Sequence, residues 1–161
     1  MNNTSEVCCP EFDPAPWDGV THQWEDKLFL CDSVPQFFHM PLPGIYGKTI
    51  SNMWKKAESL GIAPETKDFM LLAYDPSPWK SELYMSVTAD SHEADIVRFN
   101  GTYVSKVFDG PYSNVPVYLK SFEAYLEASG QKAEKYYFYY TTCPKCAKKY
   151  GHNYIVAIAK I

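Results

Sequence analysis

The chain has 161 residues, a net charge of -4 and an aromatic content of 16%. A chain of this length forms one domain with a substantial core. The acidic balance argues against a nucleic-acid partner, because no basic stripe is present to neutralise phosphates. The N-terminus is polar and no apolar run approaches the roughly 18 residues of a membrane span, so we expect a cytoplasmic protein without a membrane partner. The aromatic excess favours a site for an apolar or aromatic small molecule.

Residues 1–35 are expected to form an extended N-terminal arm. Prolines punctuate its first half up to Pro16, and they exclude a helix or a central strand there. Trp17 and Trp24 either pin this arm to the body by burying their rings or close a pocket. The folded domain is predicted to span residues 36–161.

The pattern becomes regular from residue 36 and predicts the order β-α-β-β, followed by a second copy of the same order. Gly44 and Tyr46 fall at the first strand-to-helix corner, where Gly110 and Tyr112 fall at the second. The predicted elements are strands at 37–40, 69–74 and 83–87 with a helix at 50–60, then strands at 102–109, 136–142 and 154–158 with a helix at 112–129.

We therefore predict an α+β fold made of duplicated βαββ units, with repeats at about 36–90 and 97–161. Antiparallel sheet and two main helices are arranged about a pseudo-two-fold axis. A ligand cleft is expected between the halves, where small-molecule sites tend to form.

Five consecutive aromatic residues, 136–140, predict a strand because bulky rings suit a pleated surface. Side chains alternate across a strand, so Tyr137 and Tyr139 share one face and the other three rings share the opposite face. One set can pack in a core while the other lines a ligand site or packs in a second core.

The glycine-x-tyrosine at each corner of a βαββ-βαββ chain resembles the DNA gyrase inhibitor-like small-molecule-binding domain. That domain also forms the sensor half of multidrug-responsive transcription regulators, and the resemblance covers about residues 36–161. The segments 8–17, 106–112 and 139–151 are similar to a stand-alone bacterial branch of the family. No DNA-binding domain is attached, so we do not expect a direct transcription regulator.

The resemblance implies a drug binder, and one subfamily hydrolyses the cyclopropane ring of spirocyclopropyl DNA-alkylating antibiotics inside an aromatic cage. It implies the same activity here, for detoxification, with no required cofactor. Drug-sensing relatives carry Glu-x-Tyr at the start of the last strand, where this chain has His152 and Tyr154; the first half has Glu82 and Tyr84 instead. A neutral, flat ligand therefore suits the site better than a cationic drug.

Opening a cyclopropane conjugated to a dienone builds negative charge on the carbonyl oxygen, so it requires a donor at that oxygen and an acceptor that positions water. Tyr112 and Tyr137 are the candidate donors. Glu82 is the candidate acceptor, because it shares the more polar strand face with Tyr84 and Ser86. The predicted cage walls are Trp79, Phe108, Tyr84 and Tyr139, with Phe38 and Tyr46 behind them and Tyr154 as the repeat equivalent of Tyr84.

Each of these residues also has a purely structural interpretation. Glu82 can be a solvated charge, Tyr112 a packing residue at its corner and Trp79 a loop anchor. His39 and His152 have no obvious paired acid or nucleophile. The alternative function is a protein that sequesters or senses aromatic drugs in the same cleft and performs no chemistry.

The cysteines leave a third hypothesis open. Cys143 and Cys146 have the spacing of half a zinc knuckle, and Cys8 and Cys9 could complete four thiolates. Ala147 stands where a zinc knuckle usually has glycine. Structural zinc, a redox pair and plain thiols remain open, and we assign no metal to the predicted site.

Overall fold

The structure, a computed structural model, describes residues 11–41, 43–142 and 144–161. The four-thiolate hypothesis concerns Cys8, Cys9 and Cys143, which lie outside these residues.

The chain folds into strands and helices in the order β-α-β-β followed again by β-α-β-β, apart from a short β2 and a short α3. The α+β class is therefore confirmed, and the duplication stays a prediction. The strands are β1 Val20–Phe37, β2 Met40–Pro41, β3 Leu71–Ser77, β4 Lys80–Ser86, β5 Ile96–Asp109, β6 Lys135–Tyr140 and β7 Tyr154–Lys160. The helices are α1 Ile45–Ser59, α2 Val115–Ala128 and α3 Pro144–Tyr150.

The sheet is antiparallel and closes on itself. Its order is β2-β1-β4-β3-β6-β7-β5, and β1 also pairs with β5. Closure is possible because β1 is long enough to pair with β5 over Val20–Leu30 and with β4 over Phe29–Pro35. The result is a six-stranded barrel with an interior face and an exterior face, compatible with the predicted gyrase inhibitor-like fold.

The predicted N-terminal arm is wrong for residues 20–35, which form most of β1. The register shifts between Trp24 and Lys27, and Asp26 has a φ of 48°. This irregularity interrupts the two-residue alternation and so hides the strand in the sequence. Among the described residues, only 11–19 form an arm that precedes β1.

The predicted strand at 37–40 is also wrong, because Phe38 and His39 form a tight turn with φ values of 49° and 64°. Bonds to distant residues hold this turn. The Nδ1 atom of His39 lies 2.8 Å from a carboxylate oxygen of Asp75, and its amide donates to the carbonyl of Pro78 at 3.0 Å. A run of apolar residues alone does not reveal such tertiary contacts.

The interior cluster fills the barrel with side chains from every strand except β2. The alternation predicted for the aromatic run is confirmed, because Tyr137 and Tyr139 lie in this cluster while Tyr136 and Phe138 pack outside it under α2. The buried members of the interior cluster are Phe29, Met70, Leu72, Tyr84, Phe99, Tyr103, Tyr137, Tyr139, Val156 and Ile158.

Both long helices cover the exterior face of the barrel. Met53 of α1 packs in a cluster with Leu83, and Phe122 of α2 packs in a cluster with Ala157. The stop predicted at Gly61 is confirmed by its φ of 69° directly after the last turn of α1. No helix within the described ranges is long and apolar enough to cross a membrane.

The arm residues 11–19 cover one end of the barrel, which we call the arm end. The ring of Phe12 lies 5.9 Å from that of Tyr139, and the ring of Trp17 lies 5.4 Å from it. The hydroxyl of Ser105 donates to the carbonyl of Trp17 at 2.6 Å. The opposite end, where β4 begins, is called the Glu82 end.

A single glycine lets β5 turn towards α2. A Cβ at Gly110 would overlap with the hydroxyl of Tyr118, whose ring stacks on Phe108 at 5.0 Å. We expect Gly110→Ala to lower the free energy of unfolding by about 1–3 kcal/mol, measured by urea denaturation. Adding Tyr118→Phe should restore part of the loss by removing the overlapping atom. Unchanged stability of Gly110→Ala would contradict this packing.

Candidate active site

The carboxylate of Glu82 points into the barrel at the Glu82 end. Glu82 and Tyr84 are two residues apart in β4 and therefore share a face, and Tyr84 belongs to the interior cluster. The side chain of Glu82 is 25% exposed, so it is partly screened by protein and still reaches water. This placement agrees with the polar strand face predicted from the sequence.

Two neighbours fix the Glu82 carboxylate. The hydroxyl of Tyr84 donates a short hydrogen bond to Oε2, and the Nζ atom of Lys80 lies 3.8 Å from Oε1. Burial raises the pKa of the Tyr84 phenol, and the hydrogen bond to Glu82 raises it further. Tyr84 therefore stays protonated and orients the carboxylate through Oε2, while the Oε1 atom has only the longer contact with Lys80.

Tyr137 supplies a buried phenol to the same interior face. The residue is 4% exposed, and its ring lies 5.8 Å from that of Tyr84 and 5.1 Å from that of Phe99. Burial raises the pKa of its phenol, and the charge of Glu82 contributes. A protonated phenol is a hydrogen-bond donor, and no described residue hydrogen-bonds to the Tyr137 hydroxyl.

One strand separates the acid from this phenol. Tyr74 of β3 is the register partner of Glu82, and its ring lies 5.7 Å from that of Tyr137 on β6. Because neighbouring strands are about 4.8 Å apart, the backbones that carry Glu82 and Tyr137 are separated by roughly 10 Å. The interior therefore presents an acceptor and a donor on opposite sides of an aromatic ring.

Cys31 also faces the interior, opposite Tyr84 in the β1–β4 pair. Burial raises the pKa of its thiol to about 11, with the charge of Glu82 as the next cause. Since the thiolate is the nucleophile, this thiol is unreactive at neutral pH.

Two of the predicted cage residues lie nearer the arm end. Tyr139 is buried in the interior cluster, and its hydroxyl donates to the carbonyl of Phe69 at 3.3 Å. Tyr154 contacts Phe12 of the arm at 5.8 Å. The arm residues thus stand against both rings.

The structure places Tyr46, Phe108 and Tyr112 outside the barrel, so it does not bring them together with Glu82. The hydroxyl of Tyr46 donates to the Ser81 hydroxyl at 3.0 Å beside α1, and Phe108 packs with the α2 cluster. The hydroxyl of Tyr112 donates to the carbonyl of Thr142 at 2.6 Å. The sequence predicted a ligand cleft between two halves, whereas the sheet closes into a barrel. The residues at the two strand-to-helix corners therefore pack with the helices on the exterior.

Phe38 and Trp79 form a surface cluster with Phe37. Phe38 is 62% exposed and Trp79 is 55% exposed, and their rings lie 5.1 Å apart. They sit on the turns that follow β1 and precede β4, beyond the barrel interior. They therefore do not wall the same space as Tyr84.

The prediction that His39 and His152 lack paired acids is wrong. His39 bonds Asp75, and the Nδ1 atom of His152 lies 2.7 Å from a carboxylate oxygen of Asp109. Both histidine side chains are 54% exposed. These pairs are hydrated, so their electrostatic interactions are weak compared with those inside the barrel.

A cleft of about 430 Å³ lies at the arm end. It is lined by Glu11, Phe12, Asp13, Pro14, Thr142, Tyr150, His152 and Tyr154. We favour the Glu82 end as the reaction site, because an oriented carboxylate and a phenol without a described hydrogen-bond partner both face the interior there. Within the described residues, no group of three or more His, Cys, Asp or Glu side chains could hold a metal ion.

Sequence reasoning missed two interior residues, Tyr103 and Lys135. The ring of Tyr103 lies 4.4 Å from that of Trp24, and Lys135 lies over the Tyr74 ring at 4.1 Å. The position of Lys135, two residues before Tyr137, was the available signal, because this spacing puts both on one strand face.

Comparisons with known proteins give the family. The family model described as "Bacterial hydrolase" matches residues 1–161. The chain belongs to this family. Among curated proteins, none matches the chain.

Solved structures similar to this bacterial hydrolase show the fold. The C-terminal domain of EcmrR is 13% identical with a TM-score of 0.68, covering 89% of this chain and 96% of that chain. A hydrolase from Listeria innocua is 14% identical with a TM-score of 0.62, covering 89% and 91%. An uncharacterized conserved protein from Listeria innocua is 12% identical with a TM-score of 0.61, covering 88% and 91%.

The Cys31 thiol reports the charge of Glu82. In Glu82→Gln the pKa of Cys31 should fall, and its alkylation by iodoacetamide at pH 8 should accelerate by a factor of about 10 for each unit of pKa. Mass spectrometry of the Cys31 peptide over time measures this rate. Glu93→Gln, at an exposed position before β5, is the matched control. Equal rates in all three proteins would show that Glu82 does not act on this thiol.

Proposed function

We propose that this bacterial hydrolase detoxifies flat electrophilic xenobiotics by opening the cyclopropane ring of spirocyclopropyl-dienone DNA-alkylating agents. The observation that carries the proposal is the placement of Glu82 and Tyr137 on one interior face with a strand between them. The reaction takes place at the Glu82 end of the barrel.

This separation suits a conjugated substrate. In ester or amide hydrolysis, the attacked carbon bears the oxygen that becomes negative, so the base and the oxyanion donor both lie about 3 Å from one reacting centre. In a spirocyclopropyl dienone, water attacks a ring methylene, and the charge collects on a carbonyl oxygen across the conjugated ring. An acceptor and a donor carried by different strands, with Tyr74 between them in the register, can address the two ends of such a substrate.

The chemical step uses water, Glu82 and Tyr137. Glu82 Oε1 accepts a proton from water as the water oxygen bonds to the cyclopropane methylene. The carbon–carbon bond of the cyclopropane breaks, and its electron pair moves through the dienone to the carbonyl oxygen, which becomes a phenolate. Tyr137 donates a hydrogen bond to this oxygen. The phenolate then takes up the proton held by Glu82, so the product is the substrate plus one water.

Aromatic rings hold the flat ligand. Tyr74 is half-buried at the Glu82 end, between Glu82 and Tyr137. A favourable ring pair contributes about 0.5–1.5 kcal/mol beyond the area that it buries. Ring stacking also serves a protein that binds drugs without chemistry, which is the alternative function.

Turnover separates the two functions. Purified protein at catalytic concentration is mixed with a spirocyclopropyl-dienone compound, and the hydrated product is followed by mass spectrometry. Product in excess of the protein supports the hydrolase. Tight binding without product would replace it with the drug-binding alternative.

Two substitutions test the roles of the site residues. Glu82→Gln should lower kcat about 100-fold or more, because general-base catalysis contributes about 10²–10⁴-fold. Tyr137→Phe should lower kcat about 100-fold, since one oxyanion donor is lost. Both should retain most of the binding, because the rings stay in place. Rates are measured with the same compound.

Tyr136→Phe is the matched control, because Tyr136 is the neighbouring residue of the same strand and packs outside the barrel beside Phe122 at 6.0 Å. Its kcat should equal that of the unmodified protein. Unchanged rates in both Glu82→Gln and Tyr137→Phe would refute the assigned roles.

A further inference from the structure

We infer that Lys135 and Lys160 form, together with the Tyr137 hydroxyl, a subsite for an aryl oxyanion at the Glu82 end. The inference deepens the proposed function and rests on it, because the subsite would receive the oxygen that becomes negative during ring opening. It adds a chemical requirement to the ligand, namely a ring oxygen that carries or develops a full negative charge.

Sheet register places the two lysines next to each other. Lys135 of β6 is the direct partner of Lys160 of β7. Side chains at such paired positions have Cβ atoms about 4.5–5.5 Å apart and point to the same side of the sheet. Like charges at this position repel each other and destabilise a sheet. A pair of this kind therefore has a cost in stability that an anionic ligand would offset.

The shared side is the barrel interior. Lys135 alternates with Tyr137, and Lys160 alternates with Ile158; both of these neighbours belong to the interior cluster. Lys160 is also the partner of Tyr103 on β5, a third interior residue. Two independent registers thus give the same orientation.

Contacts show where each ammonium group lies. The Nζ atom of Lys135 is 4.1 Å from the ring centroid of Tyr74 and 5.6 Å from that of Tyr137. The Lys160 side chain runs beside Gly101 of β5, where a Cβ would be 3.8 Å from its Cε atom. The two side chains lean towards opposite neighbouring strands, as like charges do.

Neither lysine forms an ion pair with a carboxylate within the described part of the chain, and both are half-buried. Two carboxylates act on the phenols beside these lysines. Burial is the main cause of the raised pKa of Tyr137 and of Tyr103, and the charge of Glu82 contributes for Tyr137 and that of Glu134 for Tyr103. The lysines therefore provide positive charge that no acidic side chain among the described residues neutralises directly. An oxyanion hydrogen-bonded by Tyr137 would lie close to Lys135.

Aromatic faces hold the Lys135 ammonium without neutralising it. A cation over the face of a tyrosine is stabilised by the ring quadrupole and keeps its full charge. Lys135 is thus positioned before a ligand arrives, and the interaction with an oxyanion strengthens as negative charge develops.

The experiment uses 4-nitrophenol, which ionises near neutral pH and absorbs visible light as the phenolate. Spectra of the probe are recorded against pH with and without excess protein. We expect the unmodified protein to lower the apparent pKa of the bound probe by about one unit. Lys135→Gln and Lys160→Gln should each reduce this shift, and the double variant should abolish it.

Matched variants separate charge from structure. Lys135→Arg should keep the shift, because it keeps the charge. Lys132→Gln, an exposed lysine before β6, should leave it unchanged. Neutral 4-nitroanisole should bind all variants equally, which also shows that they are folded. An equal probe shift in the unmodified protein and the double glutamine variant would overturn the inference.

Binding of 4-nitrobenzoate tests whether the subsite prefers a phenolate or a carboxylate. Weaker binding of this carboxylate than of 4-nitrophenolate supports the phenolate assignment, and tighter binding would overturn it. The probe assay needs no turnover. A retained probe shift without hydrolysis would refute the proposed function alone, and hydrolysis with no probe shift would refute the lysine subsite alone.

Discussion

The pairing of β1 with both β4 and β5 is the constraint on which the interior depends. Closure gives every barrel strand one face that meets the faces of all the others. Aromatic side chains from distant parts of the sequence then pack against one another, as Phe29 and Phe99 do at 4.6 Å. An open sheet with the same side chains would leave the face that carries these rings exposed to water.

Closure also sets the electrical character of the site. The side chain of Glu82 reaches water, whereas burial raises the pKa of the deeper phenols Tyr84 and Tyr137. The carboxylate acceptor and the phenol donor thus differ in depth within the barrel. Lys135 of β6 and Lys160 of β7 add positive charge at the Glu82 end, on strands that are not adjacent to β4. A ligand bound at this end therefore lies in the field of a carboxylate and of ammonium groups before the reaction begins.

Local features were predictable from the sequence, and long-range ones were not. The alternation of Tyr137 and Tyr139 and the end of α1 at Gly61 depend on neighbouring residues, so they were predicted correctly. The histidine partners are 36 and 43 residues away in the chain, and no local pattern reveals them. Tyr112 and Phe108 were placed at the site because a cleft between repeats was assumed. Barrel closure moves the helix corners to the outside, and only tertiary structure shows this.

The arm residues 11–19 have a kinetic consequence. Phe12 and Trp17 stand against the ring of Tyr139, so they obstruct access to the interior cluster from the arm end. If the proposed reaction takes place at the Glu82 end, substrate and product use the same side of the barrel. Under the proposed function, the hydrated product would have to depart before the next substrate binds, and it would compete directly with that substrate. Because the proposed product is itself an aromatic phenol, its departure is the step at which such an enzyme would be slowed.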